Sequence, residues 1–276
     1  MHNRHLLLES SPSWSSTALT TSEAFHWQKA LGTFNKVLSA AFQPSSTPLT
    51  DTERIAIWGT SMMLGALAFC HLDARTPEEA WPLAPASDLD LNWLRLSEGK
   101  TIMMIMKLAA PLLTQAVMDT YHLPLISDMD LRALPIEMVQ LCNLCLPEEA
   151  VDEGSSDSES CNTYFQAAAL LARILRSNDH LSNLQTFWTF TMHMQPDFRR
   201  KLEEKDPPAL LILAYWYAKV CQSRHWWLLR RARLEGLAIC EYLEGVWVSS
   251  GYTASLGLLR WPRLTCKASA SGGDGV

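Results

Sequence analysis

Apolar residues recur along most of this chain at spacings of three, four and seven, and that period predicts helices. It is plainest between Asp206 and Trp247. From Ala209 to Cys221 the only charged side chain is Lys219, so the segment is apolar nearly all round and is expected to be buried on more than one side. Asp206 can cap it by accepting from the free amides of the first turn, and Pro207 and Pro208 follow where a missing N–H costs nothing. Gln222, Ser223 and Arg224 make a polar break. A second helix then begins near His225 and runs through Trp226, Trp227, Leu234, Leu237 and Ala238 to about Leu243. Arg224, Arg230, Arg231 and Arg233 crowd its first half, where they are expected on a solvent face beside acids such as Glu235 and Glu241, with the tryptophans packing inward.

The same period organises the rest of the chain. Phe25, Trp27, Ala30, Leu31, Phe34, Val37 and Leu38 share helical spacing, and the Ser and Pro cluster from Gln43 to Pro48 ends that helix. Thr50 and Glu53 form a capping box for a helix that carries no Asp, Glu, Lys or Arg from Ile55 to Leu72. This run approaches the roughly 20 apolar residues of a membrane span, but no basic cluster flanks it and other segments are as apolar, so it reads as a core helix. Pro77 to Asp90 reads as an ordered crossing loop with Trp81 plugging the core. A helix from about Ser97 to Met118 carries Met103, Met104 and Met106, with Pro111 bending it, and further helices are expected over Leu134 to Leu146, Tyr164 to Arg176 and Leu184 to Met194.

No long alternating β-branched run appears. The expected fold is therefore all-α, a single multi-helix domain over residues 23–265 with a buried central helix hairpin. Flanking it are a flexible N-terminal segment, 1–22, and a flexible tail, 266–276. The acidic, serine-rich stretch 148–161 cannot offset the entropy of ordering itself and is expected to be a disordered linker.

Charge and composition narrow the function. With 276 residues, 48% hydrophobic, the chain can bury a large core, and its formal net charge of −6 argues against a surface built to neutralise phosphates. Seven scattered cysteines, mostly inside apolar runs, read as buried, reduced thiols of an intracellular protein. Cys142-Asn143-Leu144-Cys145 is a CxxC, yet a structural zinc site needs four ligands and no second pair stands at suitable spacing. No nucleophile elbow, HExxH or phosphate-binding glycine loop is present. Asp128 and Asp130 read as turn carboxylates, and His26, His71, His180, His193 and His225 as single, satisfied core histidines rather than catalysts. Neither catalysis, nor a metal, nor a cofactor is expected.

Asp206-Pro207-Pro208-Ala209-Leu210, the aromatic run to Tyr217 and His225-Trp226-Trp227-Leu228 before the arginine cluster form a pattern. Trp93-Leu94-Arg95-Leu96-Ser97-Glu98-Gly99, Tyr164 to Leu171, Trp188 with Pro196-Asp197-Phe198, and Leu259-Arg260-Trp261-Pro262 extend it in order. Together these resemble the C-terminal regulatory domain of fungal zinc-cluster transcription factors of the sterol-uptake-control type, over most of the chain from about Phe25. The resemblance implies a nuclear regulatory domain (cytoplasmic as the alternative) that senses a sterol or other apolar molecule and works with other regulator subunits. The family's six-cysteine DNA-binding cluster has no counterpart before Cys70, so direct DNA binding is not expected. Because a helix apolar on all flanks is hard to surround without a gap, the expected ligand pocket lies beside Ala209 to Cys221, with Trp216, Tyr217, Trp188 and Met104 as candidate walls. A helical enzyme and a protein-binding scaffold are the competing readings.

Overall fold

The computed structural model describes residues 20–41, 48–87, 90–96, 128–144, 162–176, 190–223 and 225–268. Among them the regular structure is entirely helical. The α-helices are α1 (Thr21–Ala41), α2 (Asp51–Cys70), α3 (Asn92–Leu96), α4 (Ile136–Leu141), α5 (Phe165–Arg176), α6 (Pro196–Glu203), α7 (Pro207–Cys221), α8 (Trp226–Ser249) and α9 (Arg260–Ala268), with short 3-10 turns between some of them.

The helix starts follow from local chemistry. At α2 the Thr50 hydroxyl accepts from the Glu53 amide and the Glu53 carboxylate accepts from the Thr50 amide at 2.8 Å, closing the capping box. Thr20 and Glu23 repeat this at α1. At α7 the Asp206 carboxylate accepts from the Ala209 amide at 3.3 Å and from the Tyr164 hydroxyl at 2.9 Å, so one side chain caps the central helix and ties it to the start of α5. Lys205, just before it, has φ 55°, turning the chain sharply out of α6. Its ammonium donates to the Pro82 carbonyl at 2.7 Å and lies 5.8 Å from the Tyr242 ring centre, pinning the crossing loop to α8.

α7 is the centre of the molecule. It packs against α4, α5, α6, α8 and α9, and every residue from Ala209 to Ala218 is buried, as a helix apolar on all flanks requires. Burying each of its leucines contributes about 1.5–3 kcal/mol. α8 lies along α7 and on its other side meets α2 and the turn Pro77–Glu79, while α1 lies against α2. Trp81 is buried at the point where the crossing loop enters the core.

Several boundaries differ from the pattern. α8 continues six residues past Leu243 to Ser249, because Val246 and Trp247 keep apolar spacing and Trp247 is buried. α9 continues to Ala268, and Cys266, placed by the sequence in a loose tail, is fully buried. α4 ends at Leu141, short of Leu146. The methionine-rich stretch 97–118, the acidic stretch 148–161 and most of 184–194 lie outside the described residues. Among those described, no helix is long and apolar enough to cross a membrane.

Candidate functional site

Two places in the fold gather distinctive side chains: the aromatic centre where α7 meets its neighbours, and a groove between α1 and α2.

At the aromatic centre, Trp216 is fully buried and has both faces covered. Trp93 stacks on one at a centroid distance of 5.7 Å and an interplanar angle of 9°, and Phe190 on the other at 5.0 Å and 18°. Phe69, at the end of α2, meets Trp93 edge-on at 4.9 Å and Trp216 at 6.2 Å. Such contacts add about 0.5–1.5 kcal/mol each beyond the area they bury. Of the expected pocket walls, the structure therefore places Trp216 inside a filled aromatic stack, with Tyr217 beside it at 5.1 Å. Trp188 and Met104 lie outside the described residues.

Tyr217 leads to charge. Its hydroxyl donates to one oxygen of Glu235, and the other oxygen of Glu235 accepts from Arg231 one turn earlier on α8. The Arg231 guanidinium also donates to the carbonyls of Phe69, at 2.7 Å, and His71, and its carbon lies 5.6 Å from the Phe69 ring centre. These carbonyls belong to the end of α2, where the last four have no intrahelical partner and the helix dipole is negative. Arg231 thus serves as the C-terminal cap of a helix about 160 residues away in sequence. Glu235 is 2% and Arg231 8% exposed, which corrects the expectation of a solvent face for this pair, whereas Glu241 is exposed as expected. Burial pushes the Glu235 carboxyl up, against the opposing pull of Arg231 and of the Tyr217 hydrogen bond. Burial, and then the Glu235 charge, raise the Tyr217 phenol well above its ordinary range. Arg230, half-buried, donates to the Ala74 carbonyl at 2.9 Å. Trp226, expected to pack inward, is 38% exposed, while Trp227 is half-buried.

The groove is different in kind. It has a volume of about 660 Å³ and is open to solvent. Ala30, Phe34 and Val37 of α1 face Ala56 and Ile57 of α2, and His26, Lys29, Thr33, Glu53 and Thr60 supply its polar edge. The Glu53 carboxylate is already engaged by Thr50, which holds it below the usual carboxylate range. Neither Trp216 nor Tyr217 lines this groove. Its residues were legible only as one amphipathic helix and one core helix. The available signal was in α1, whose apolar positions fall on two adjacent stripes, Trp27, Leu31, Phe34 and Leu38 on one and Ala30 and Val37 on the other; one flat contact with α2 cannot bury both.

Among the described residues no group of three or more His, Cys, Asp or Glu is placed to hold a metal ion. No protein-family model, curated protein or solved structure matches the chain.

Proposed function

We propose that this chain is a regulatory-type helical domain that holds a sterol-like or other apolar small molecule in the groove between α1 and α2, and that it acts through partner regulator subunits rather than by contacting DNA itself. The observation that carries the reading is the groove: an apolar floor edged by a few polar groups, with a volume of about 660 Å³, inside the roughly 300–1,000 Å³ of small-molecule sites. The aromatic centre supports it indirectly, because a Trp216 stacked on both faces leaves the groove as the better place for a guest. The resemblance to regulatory domains of the sterol-uptake-control type supports the ligand class, and the net charge of −6 fits a chain that does not seek phosphate.

A protein segment in the same groove is the second reading. Phe25 (60% exposed) and Val37 (42%) on α1, with Met63 (58%) on α2, would extend the apolar surface for an amphipathic helix.

Thermal melts with a sterol panel separate these. Binding at one hundred times Kd stabilises by about 2.7 kcal/mol, so a cognate ligand raises Tm of the wild-type chain, and Ala30→Trp, which fills the groove from the exposed side of α1, abolishes that rise without lowering the unliganded Tm. If no member of the panel raises the wild-type Tm, the sensing role fails.

A further inference from the structure

Three helices meet closely where α7, α8 and α9 converge. Cys221, in the last turn of α7, donates its thiol to the Cys266 sulfur across 3.8 Å, and the Cys266 thiol donates in turn to the Ala232 carbonyl of α8 at 3.9 Å. The residue that admits this approach is Gly236 of α8: a Cβ there would stand 2.8 Å from the Cys266 sulfur and 3.2 Å from the Tyr217 Cβ. Cys266 is fully buried, whereas Cys221 keeps 6% of its surface. The contact with Cys221, together with burial, holds the Cys266 thiol well above the usual range.

We propose that Cys221 and Cys266 are an oxidisable pair which a peroxide converts to a disulfide, stapling α9 to the central helix. The two sulfurs already touch at 3.8 Å, so a bond of about 2.05 Å asks them to close by less than about 2 Å. The order of events follows exposure. The Cys221 thiolate attacks one oxygen of hydrogen peroxide; the O–O bond breaks, hydroxide leaves and takes up the thiol proton as water, and Cys221 becomes a sulfenic acid. Cys266 then attacks the Cys221 sulfur as its thiolate. The S–S bond forms, the S–O bond breaks, and the hydroxyl leaves as a second water with the Cys266 proton. Two thiols lose two electrons and one peroxide gains them. The high proton affinity of Cys266 delays this second step rather than preventing it, since the sulfenic sulfur is held against it. The product closes a loop spanning 45 positions of sequence, which restricts the unfolded chain and raises Tm.

Cys240, on α8 one turn beyond Gly236, is also fully buried. It is the competing partner, and the sequence separates the three thiols cleanly. Cleavage after lysine and arginine puts Cys221 in the peptide 220–224, Cys240 in 234–260 and Cys266 in 264–267.

The experiment treats the native full-length chain with hydrogen peroxide or with a thiol reductant, blocks remaining thiols, digests without reduction and maps the peptides by mass. The expected result is a 220–224 to 264–267 cross-link, lighter than the sum of its parts by two hydrogens, with loss of both thiols from alkylation and a Tm several degrees higher that falls back on reduction. Cys221→Ala should lose both the cross-link and the Tm rise; because mapping of the wild-type chain is decisive alone, a poorly folding variant does not blunt the test. Cys221 and Cys266 both remaining alkylatable, a link from Cys266 to Cys240, or a cross-link formed only in denaturant would each overturn the assignment.

Discussion

Gly236 sits in the interior of a 24-residue helix, where glycine costs about 1 kcal/mol relative to alanine. The position repays this through proximity, since its missing Cβ lets the Cys266 sulfur and the Tyr217 side chain reach the backbone of α8. Gly236→Ala is therefore expected to destabilise despite better helix propensity, by about 1–3 kcal/mol from overpacking. Denaturant melts of Gly236→Ala, Cys266→Ala and the double variant provide the check. The double variant should recover part of the loss, a coupling expected only for groups that touch; strict additivity would show that the sulfur contact is not what forbids the methyl. Residues of this kind were not legible beforehand. The sequence displays a glycine in a helical pattern but not the neighbour it admits, and it puts Cys266 at the start of a loose tail because nothing local marks the burial of α9.

At the scale of elements, α7 was readable almost to the residue, because a capping aspartate, two prolines at the first turn and thirteen residues with a single charge leave few alternatives. The capping box of α2 was readable for the same reason: its partners are three residues apart and need no tertiary information. The arginine helix was not. A buried arginine and a solvated one have the same periodicity, and the deciding partners of Arg231, the carbonyls ending α2, are remote in sequence. The consequence can be tested by truncating one member of the cluster. Arg231→Met leaves Glu235 buried without its cation and the end of α2 without its cap, and is expected to cost about 3–5 kcal/mol, measured by chemical denaturation. Pairing it with Glu235→Leu should return part of that stability, since the uncompensated carboxylate is the larger part of the cost. A single variant within 1 kcal/mol of wild type would remove Arg231 from the framework.

For the whole molecule, the all-α expectation holds among the described residues, whereas the groove between α1 and α2 is not legible in the sequence. A groove depends on how two helices sit side by side, whereas periodicity reports only that each has an apolar side. One global property does follow from burial. The Cys142 and Cys240 thiols are pushed up to about 12 by their apolar surroundings, and the Tyr215 phenol, which donates to the Leu258 carbonyl at 3.0 Å, is also raised to about 12 by burial. In the unfolded chain the thiols lose their protons near pH 8.5 and the phenol near 10, while the folded chain still holds them. The folded state then binds more protons than the unfolded one, so stability is fully present below about pH 8.5 and declines as pH rises toward 12. Tm measured in steps from pH 8 to 11 should fall progressively, with the tyrosinate absorbance of Tyr215 appearing only on unfolding. A Tm that stays flat to pH 11 would contradict the assigned burial.

Arg231's grip on the end of α2 also bears on the sequence of events when the chain folds. α7 and α8 are consecutive and separated by a short connection, so their pairing closes a small loop and can form early. The contact between Arg231 and Phe69 joins positions 162 apart, and the entropy of closing so long a loop is lost before the contact returns anything. It belongs on the native side of the folding barrier. Weakening it should therefore leave the refolding rate nearly unchanged and show up as faster unfolding: the arginine acts as a latch that sets how long the finished molecule lasts, while the hairpin it hangs from sets how soon it forms.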